Sequence, residues 1–141
     1  MLFRSKLSDF GTAILQAAVN ADQPNGGAVG TVPYMSPGVL RGTVDASNDM
    51  WAVSISVYEM LKGRLPWDTT LDGIQLMYNI GELSEAPDFF SSLRVSTELR
   101  EAMSQCLRID GKQRPTAQEL LARTYFSSVL QEKDVQSSPK R

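Results

Sequence analysis

The stretch that most constrains the fold of this chain is the run from Met50 to Leu61, which is apolar on nearly every face of a helix. Its apolar residues after Met50 are Trp51, Val53, Ile55, Val57, Tyr58, Met60 and Leu61. A helix that is apolar all round belongs inside a protein. Residues 45–48 offer capping side chains before it, and Gly63 is a stop signal after it. The sequence therefore predicts a buried helix at this position.

Three shorter helices are expected later in the chain, each with apolar residues at three- and four-residue steps. Their apolar positions are Ile74, Met77, Tyr78 and Ile80; Leu99, Met103, Cys106 and Leu107; and Ala117, Leu120 and Leu121. The first is expected to stop near Gly81, and Ser96 or Thr97 is expected to cap the second. Thr116 is expected to cap the third, with Glu119 at its third helical position and its apolar residues facing inward.

The two ends of the chain differ from this helical part. Residues 3–7 form a short apolar and basic stretch that is typical of a strand, and it runs into a turn at Asp9-Phe10-Gly11. Residues 12–32 are rich in Ala, Gly, Asn and Gln and show no sustained period, which predicts a long loop. Residues 129–141 are mostly polar and charged, so we expect a disordered tail there.

Length and composition exclude several classes of protein. The 141 residues fit one domain, and 14 basic against 16 acidic side chains give a net charge of −2, which does not suggest binding to nucleic acid or to a membrane surface. No apolar run reaches the roughly 18 residues of a membrane span. A single cysteine, Cys106, excludes an internal disulfide and suits a reducing compartment, so the cytoplasm or nucleus is expected. The absence of histidine excludes a Ser-His-Asp triad and histidine-ligated zinc.

Four short motifs follow one another along the chain. They are Asp9-Phe10-Gly11, Gly30-Thr31-Val32-Pro33-Tyr34-Met35-Ser36-Pro37, Asp49-Met50-Trp51 and Gln113-Arg114-Pro115-Thr116. The first motif alone is a weak signal, but the four in this order are specific. On these motifs the chain resembles the C-terminal lobe of the eukaryotic protein kinases over roughly residues 5–126. The resemblance is closest to the mitogen-activated protein kinase kinase kinase type.

The resemblance implies a mainly α fold, namely the lower part of a protein-kinase C-terminal lobe with a short N-terminal strand and a long activation loop. Residues 1–128 would form a partial kinase domain. Within it, residues 9–38 would be the activation segment and residues 45–128 the helical lobe.

The resemblance also assigns a cofactor site and a substrate loop. Asp9, Phe10 and Gly11 would belong to the cofactor site, with Asp9 chelating the Mg²⁺ that bridges the ATP phosphates, because a hard cation prefers carboxylate oxygen. The alternative for Asp9 is an ordinary turn aspartate. Phe10 would pack in a hydrophobic spine, or equally as an unspecific core aromatic. Thr31 would lie in the substrate-binding loop and favours Ser/Thr over Tyr specificity.

Two residues have structural roles by resemblance, and two positions depart from the family pattern. Asp49 would hold the catalytic loop through a buried carboxylate; the alternative, compatible with it, is a helix-capping role in which Asp49 would also complement the helix dipole. Arg114 would pair with the glutamate of an Ala-Pro-Glu motif, which is Ser36-Pro37-Gly38 here, so Arg114 is expected to lack its partner. Ser54 replaces a glycine and is expected to crowd the packing of the central helix.

Several motifs that protein kinases need for catalysis are not found in these residues. Only eight residues precede Asp9, and no His-Arg-Asp motif, Gly-rich phosphate loop or strand lysine motif is found. We therefore expect a serine/threonine protein kinase by family, using ATP and Mg²⁺ on a protein substrate, in the form of a truncated chain that is inactive by itself. The alternative is a pseudokinase fragment that binds protein partners.

Overall fold

The computed structural model describes residues 30–123, 125 and 126, together with Lys6, Ser8, Phe10, Gly11 and Ala13. The helices in this part of the chain are α1 (Pro37–Leu40), α2 (Ser47–Lys62), α3 (Gly73–Gly81), α4 (Thr97–Cys106) and α5 (Ala117–Leu121), with 3₁₀ turns at Val32–Tyr34 and Gly111–Gln113. The described residues contain no strand, so the mainly α prediction is confirmed for them. The strand predicted at residues 3–7, apart from Lys6, most of the loop at 12–32 and the tail at 129–141 lie outside the described residues.

Helix α2 is the central element of the core. Trp51 and Ile55 have no exposed surface, and α2 packs against α4 and both 3₁₀ turns. It ends at Gly63, as the sequence predicts, in the left-handed conformation with φ of 67°. The N-cap residue itself is Ala46, which has no side-chain oxygen. The carboxylate of Asp45 instead accepts a hydrogen bond from the Ser47 N–H (2.8 Å) in the preceding turn.

One face of α2 is nevertheless exposed. Val53 is 39%, Met60 76% and Leu61 46% exposed, and their spacing of seven and eight residues places them on one side of the helix. The prediction that the whole run is buried is therefore wrong for this side. We call Val53, Met60 and Leu61 the open face of α2.

The core forms where α2 meets α3, α4 and the segment between α3 and α4. Its buried members are Met50, Trp51, Ile55, Tyr58, Leu76, Ile80, Phe90, Leu93, Ala102, Met103, Cys106, Leu107 and Leu120. The rings of Tyr58 and Phe90 meet edge to face with centroids 5.9 Å apart, an arrangement that aromatic pairs favour. None of the described helices is both long and apolar enough to cross a bilayer.

Helix α3 buries a different side from the one that its apolar residues suggest. It begins with a capping box between Asp72 and Gln75, and it buries Leu76 and Ile80. Ile74 and Tyr78 are exposed, although the sequence places them with Ile80 in one amphipathic helix.

The caps of the last two helices agree with the sequence. The Ser96 side chain accepts from the Leu99 N–H (3.2 Å) at the start of α4, and Thr116 and Glu119 form a capping box at the start of α5. Leu120 is buried as predicted, whereas Leu121 is 53% exposed and does not face inward.

Ser54 joins α2 to α4 through a buried hydrogen bond. Its hydroxyl donates to the Met103 carbonyl (3.0 Å), and the side chain has no exposed surface. That carbonyl would accept from the Leu107 N–H in a regular helix, but Leu107 donates to Ser104 (3.2 Å) because α4 tightens at its end. Besides the crowding that the sequence predicts, Ser54 thus satisfies a carbonyl at the end of α4.

We expect Ser54→Ala to lower the free energy of unfolding by about 1 to 2 kcal/mol, because the buried Met103 carbonyl then has no donor. Urea unfolding followed by circular dichroism measures this change. Ser56→Ala is the matched control, since the Ser56 hydroxyl donates within α2 to the Ala52 carbonyl (2.9 Å) and joins no second helix. Equal stability of the two variants would contradict the role assigned to Ser54.

Because the thiol of Cys106 is buried, we expect the free energy of unfolding to fall at alkaline pH. Burial raises the pKa of Cys106 to about 11, against an ordinary value of 9.0. Between these values the unfolded chain loses the thiol proton and the folded chain keeps it, so stability is full below pH 9 and falls as the pH rises through 11. The loss should reach about 2 kcal/mol. Urea unfolding from pH 8 to 11 measures it, and Cys106→Ala should remove this part of the slope; an unchanged slope would contradict it.

Candidate functional site

The structure places the predicted cofactor residues only in part. Asp9 lies outside the described residues, and Gly11 lies in a turn where the Ala13 N–H donates to the Phe10 carbonyl (3.0 Å). Phe10 is 67% exposed. Its predicted packing in a spine or core is therefore not found, because the buried cluster closes around Trp51 without it.

The segment from Gly30 to Pro37 lies against α2 and α3, and we call it the substrate segment after the role that the resemblance predicts for it. It begins at Gly30 with φ of 135°, a conformation open mainly to glycine, and continues into the 3₁₀ turn. Thr31 is exposed at its start, its carbonyl accepts from the Tyr34 N–H (3.0 Å), and its side chain makes no capping hydrogen bond. The segment thus presents Thr31 at the surface and buries its other end, from Met35 to Pro37.

Two hydrogen bonds fix the middle of the substrate segment. The Tyr34 hydroxyl donates to the Glu59 carboxylate of α2 (2.6 Å), and the Trp67 indole N–H donates to the Pro33 carbonyl (2.7 Å). The bond to Glu59, assisted by partial burial and by the negative charge of Glu59, raises the pKa of Tyr34. The Trp67 ring is held edge to face against Phe89 with centroids 5.2 Å apart.

A third contact fixes the end of the substrate segment. The buried Ser36 hydroxyl donates to the side-chain carbonyl of Asn48 (2.6 Å) and accepts from the Val39 N–H (3.2 Å). The Asn48 amide in turn donates to the Thr43 carbonyl (3.1 Å), and the Thr43 N–H donates to the Gly38 carbonyl (2.8 Å). This network ties the segment to the first turn of α2 without using an ion pair.

Sequence reasoning missed Glu59, Trp67 and Asn48 as partners of this segment, and it missed Ser36 as the residue of the segment that bonds to Asn48. Their contacts span between 12 and 34 residues of sequence. Hydrogen-bond partners that lie so far apart in sequence leave no periodic pattern of residues. Only the order of the four motifs could have indicated that these parts of the chain lie close together.

Arg114 is buried, and each of its three guanidinium nitrogens donates a hydrogen bond, although no carboxylate among the described residues is its partner. It is 6% exposed, and its guanidinium donates to the carbonyls of Arg108 (2.8 Å), Ser47 (3.0 Å) and Ile109 (3.2 Å). The same group lies 5.2 Å from the centroid of the Trp51 ring, which suits a cation–π contact. Backbone oxygens and an aromatic face therefore take the place of the glutamate whose loss the sequence predicts. Burial lowers the pKa of Arg114, and the negative charge of Asp45 opposes that shift.

Asp49 is exposed in the first turn of α2. The buried carboxylate expected for a contact with a catalytic loop is not found. The position fits the alternative, since a negative charge in the first turn of a helix complements the helix dipole.

The described residues contain no group of three or more His, Cys, Asp or Glu side chains that could hold a metal ion. Asp9 as a magnesium ligand remains a prediction from the sequence.

We expect Gly38→Glu to raise the midpoint of thermal unfolding by supplying the carboxylate that Arg114 lacks. A Cβ at Gly38 would lie 3.5 Å from Asn48 Oδ1, which is ordinary contact, and Arg114 bonds to the adjacent Ser47. The new charge would thus lie beside the same turn of α2 as the guanidinium. Gly38→Gln is the matched neutral control, and we expect the free energy of unfolding of Gly38→Glu to exceed that of Gly38→Gln by about 1 kcal/mol, with a correspondingly higher midpoint. Equal midpoints for the two variants would show that no ion pair forms.

Comparisons with known proteins agree with the motifs. The protein kinase domain family matches residues 3–126. The MAP kinase kinase kinase mkh1 of Schizosaccharomyces pombe is 35% identical over 121 residues, which cover 82% of this chain and 11% of that protein. Mitogen-activated protein kinase kinase kinase 1 of Mus musculus is 32% identical over 128 residues, 87% of this chain and 8% of that protein. Mitogen-activated protein kinase kinase kinase 17 of Arabidopsis thaliana is 30% identical over 128 residues, 88% of this chain and 33% of that protein.

The chain therefore spans from 8% to 33% of the length of these relatives. The family match extends from residue 3 to residue 126 and includes all four motifs. The chain belongs to the protein kinase family and is similar to its MAP kinase kinase kinases.

Proposed function

We propose that these residues form the substrate side of a serine/threonine protein kinase, in which the substrate segment holds the acceptor residue of a protein. The observation that carries this proposal is the threefold fixing of that segment, through Tyr34 to Glu59, Pro33 to Trp67 and Ser36 to Asn48. Phosphoryl transfer depends mostly on positioning and electrostatics, so a rigid backbone beside the acceptor is what this chemistry requires.

Thr31 is the residue of the segment that would meet the acceptor. It is exposed and follows Gly30, whose left-handed backbone sets the direction of entry into the turn. Its hydroxyl makes no capping bond and so remains available to position a serine or threonine hydroxyl of the substrate. ATP with Mg²⁺ would supply the phosphoryl group and neutralise its charge, with Asp9 as the proposed metal ligand.

The proposal includes inactivity of the 141 residues by themselves. The sequence contains no histidine and hence no His-Arg-Asp motif, and loss of a general base alone costs about 10² to 10⁴ in rate. Incubation of the chain with Mg²⁺, radiolabelled ATP and a mixed serine/threonine substrate should give no labelling above a protein-free control. Labelling at a rate typical of kinases would overturn this part.

A chimera tests the positive part of the proposal. Residues 30–126 would replace the matching stretch in the kinase domain of the Mus musculus relative, whose own residues would supply the rest. We expect the chimera to phosphorylate serine or threonine, and we expect Thr31→Val to lower kcat/KM by about tenfold or more while Thr31→Ser retains most of it. A folded but inactive chimera, or an unaffected Thr31→Val variant, would contradict the assignment of the substrate segment.

A second candidate is a pseudokinase fragment that binds protein partners. The open face of α2 and the lack of a glutamate at Gly38 favour it. This function requires that the chain folds alone, so a heat-unfolding scan of the 141 residues should show one cooperative transition. A scan without such a transition would count against the candidate.

A further inference from the structure

A pocket lies where the end of α4, the 3₁₀ turn Gly111–Gln113 and α5 meet. Its volume is about 420 Å³, and most of the side chains around it are polar or charged. Three of them, Lys112, Arg114 and Arg123, are cations, and one, Glu119, is a carboxylate. The pocket therefore has a net charge of +2, although the whole chain has a net charge of −2. A positive cavity in a weakly acidic chain is suited to an anion.

Arg114 brings a buried positive charge to the wall of this pocket. It is 6% exposed, and its hydrogen bonds go to backbone carbonyls, which carry no full negative charge. Asp45 and Asp110 lie close enough for their charges to act on it, but neither forms an ion pair with it. The Asp110 carboxylate accepts instead from the Lys112 N–H (3.0 Å) and the Gln113 side-chain amide (3.2 Å). A buried cation without an ionic partner is costly, so an anion in the pocket would lower that cost.

Lys112 and Arg123 supply the hydrogen-bond donors that an anion needs. Lys112 is exposed, and its ammonium group carries three N–H donors. Arg123 donates to the side-chain carbonyl of Gln105, and because a guanidinium has five N–H donors, others remain for a ligand. The one carboxylate of the lining, that of Glu119, accepts from the N–H (2.8 Å) and the hydroxyl (3.0 Å) of Thr116. One negative charge against three cations leaves the pocket positive.

We infer that this pocket binds the phosphate group of a phosphorylated serine or threonine of a partner protein. Such a group carries a charge of about −1.5 to −2 at pH 7 and three strong acceptor oxygens. Its charge matches that of the pocket, whereas a single carboxylate would supply only half of it. Hydrogen bonds from arginine or lysine to phosphate are roughly twice as strong as those between neutral groups. The phosphate would thus give Arg114 its missing counter-charge and accept from Lys112 and Arg123.

The size and the lining of the pocket favour a phosphate group that is carried by a protein side chain. A free phosphate ion fills only a small part of about 420 Å³, so space remains for the residue to which the phosphate is attached. Among the described residues that line the pocket, Pro115 is the only apolar one. A nucleotide base, a lipid chain or the ring of a phosphotyrosine therefore finds little surface to pack against. The site is separate from the proposed phosphoryl transfer, because it uses no residue of the substrate segment.

Short peptides test the site in the 141-residue chain by fluorescence anisotropy. The probe is a fluorescein-labelled peptide of glycine and alanine with one central phosphoserine, and two control peptides carry serine or glutamate in its place. We expect the phosphopeptide to bind at least about tenfold more tightly than either control, and we expect its binding to weaken several-fold between 50 and 300 mM salt. Inorganic phosphate should compete only at concentrations at least about tenfold above those of unlabelled phosphopeptide, because it fills less of the pocket.

Variants of the chain locate the contact. Lys112→Gln with Arg123→Gln should weaken binding of the phosphopeptide by about tenfold or more. Lys62→Gln with Arg64→Gln is the matched control, since it removes the same charge from exposed sites outside the pocket, and it should change binding by less than about twofold. Glu119→Gln should strengthen binding several-fold, because it removes the one carboxylate of the lining, and glutamine also serves at this position of a capping box. Circular dichroism checks that each variant keeps its helices.

Arg114 stays unchanged in all of these variants, because its removal should destabilise the fold itself. Equal binding of the serine peptide, unchanged binding in the variant of Lys112 and Arg123, or an equal loss in the variant of Lys62 and Arg64 would each overturn the inference. Competition by inorganic phosphate at the same concentration as the phosphopeptide would assign the pocket to free phosphate and contradict a protein ligand. An absence of competition would show that the peptide binds through other atoms, which also contradicts the inference.

Discussion

Arg114→Met is expected to lower the free energy of unfolding by about 3 to 5 kcal/mol. The methionine fills much of the same volume, but it removes the donor of three part-buried hydrogen bonds, those to the carbonyls of Ser47, Arg108 and Ile109. Each buried acceptor without a partner costs about 1 to 3 kcal/mol. The contact of the guanidinium with the Trp51 ring is lost as well. Urea unfolding followed by circular dichroism measures the change.

Two further variants separate the hydrogen bonds of Arg114 from its charge. Arg114→Lys keeps the positive charge but not the planar set of donors, so we expect a loss between those of the wild type and Arg114→Met. Arg94→Met is the matched surface control, since Arg94 is exposed, and its effect should stay within about 0.5 kcal/mol. If Arg114→Met were as stable as Arg94→Met, the carbonyl contacts would not be the partners that hold this region together.

Trp51→Ala is expected to destabilise the chain by about 3 to 5 kcal/mol, because the ring has no exposed surface and its removal leaves a cavity beneath Arg114. Such a loss approaches the whole stability of a small domain. Thermal unfolding followed by circular dichroism is the measurement, and complete loss of the transition agrees with the expectation. A shift of less than about 1 kcal/mol would contradict the central place of this ring.

If Trp51→Ala does not fold, Trp51→Phe still allows the contribution of this side chain to stability to be measured. The Trp51 indole N–H is buried and finds no acceptor among the described residues, so phenylalanine removes an unsatisfied donor along with part of the ring. Its matched comparison is Trp67→Phe, which removes a donor bonded to the Pro33 carbonyl. We expect Trp51→Phe to cost mainly packing. Trp67→Phe should release the substrate segment, seen as faster hydrogen exchange at residues 30–37.

Local signals explain which parts of the fold were predictable. Gly63 ends α2, and Ser96 and Thr116 cap α4 and α5, because each effect depends on residues within one turn of the helix end. The side of α3 that faces the core was predicted less well. Ile74 and Tyr78 have the same apolar character as Leu76 and Ile80, and only the position of α1 and the 3₁₀ turn decides which pair is covered.

The candidate site shows the same division. The sequence alone determined the family, through four motifs in order, and it determined that the histidine of a His-Arg-Asp motif is not among these residues. It also identified Thr31 and Arg114 as candidate residues, but it did not identify the residues that fix their positions. Tertiary structure decided that Arg114 binds three carbonyls and a ring in place of a carboxylate, and that Ser36 and Asn48 fix the substrate segment. Hydrogen-bond partners that lie far apart in sequence are chosen by the packing of whole helices, and no local pattern of residues records that choice.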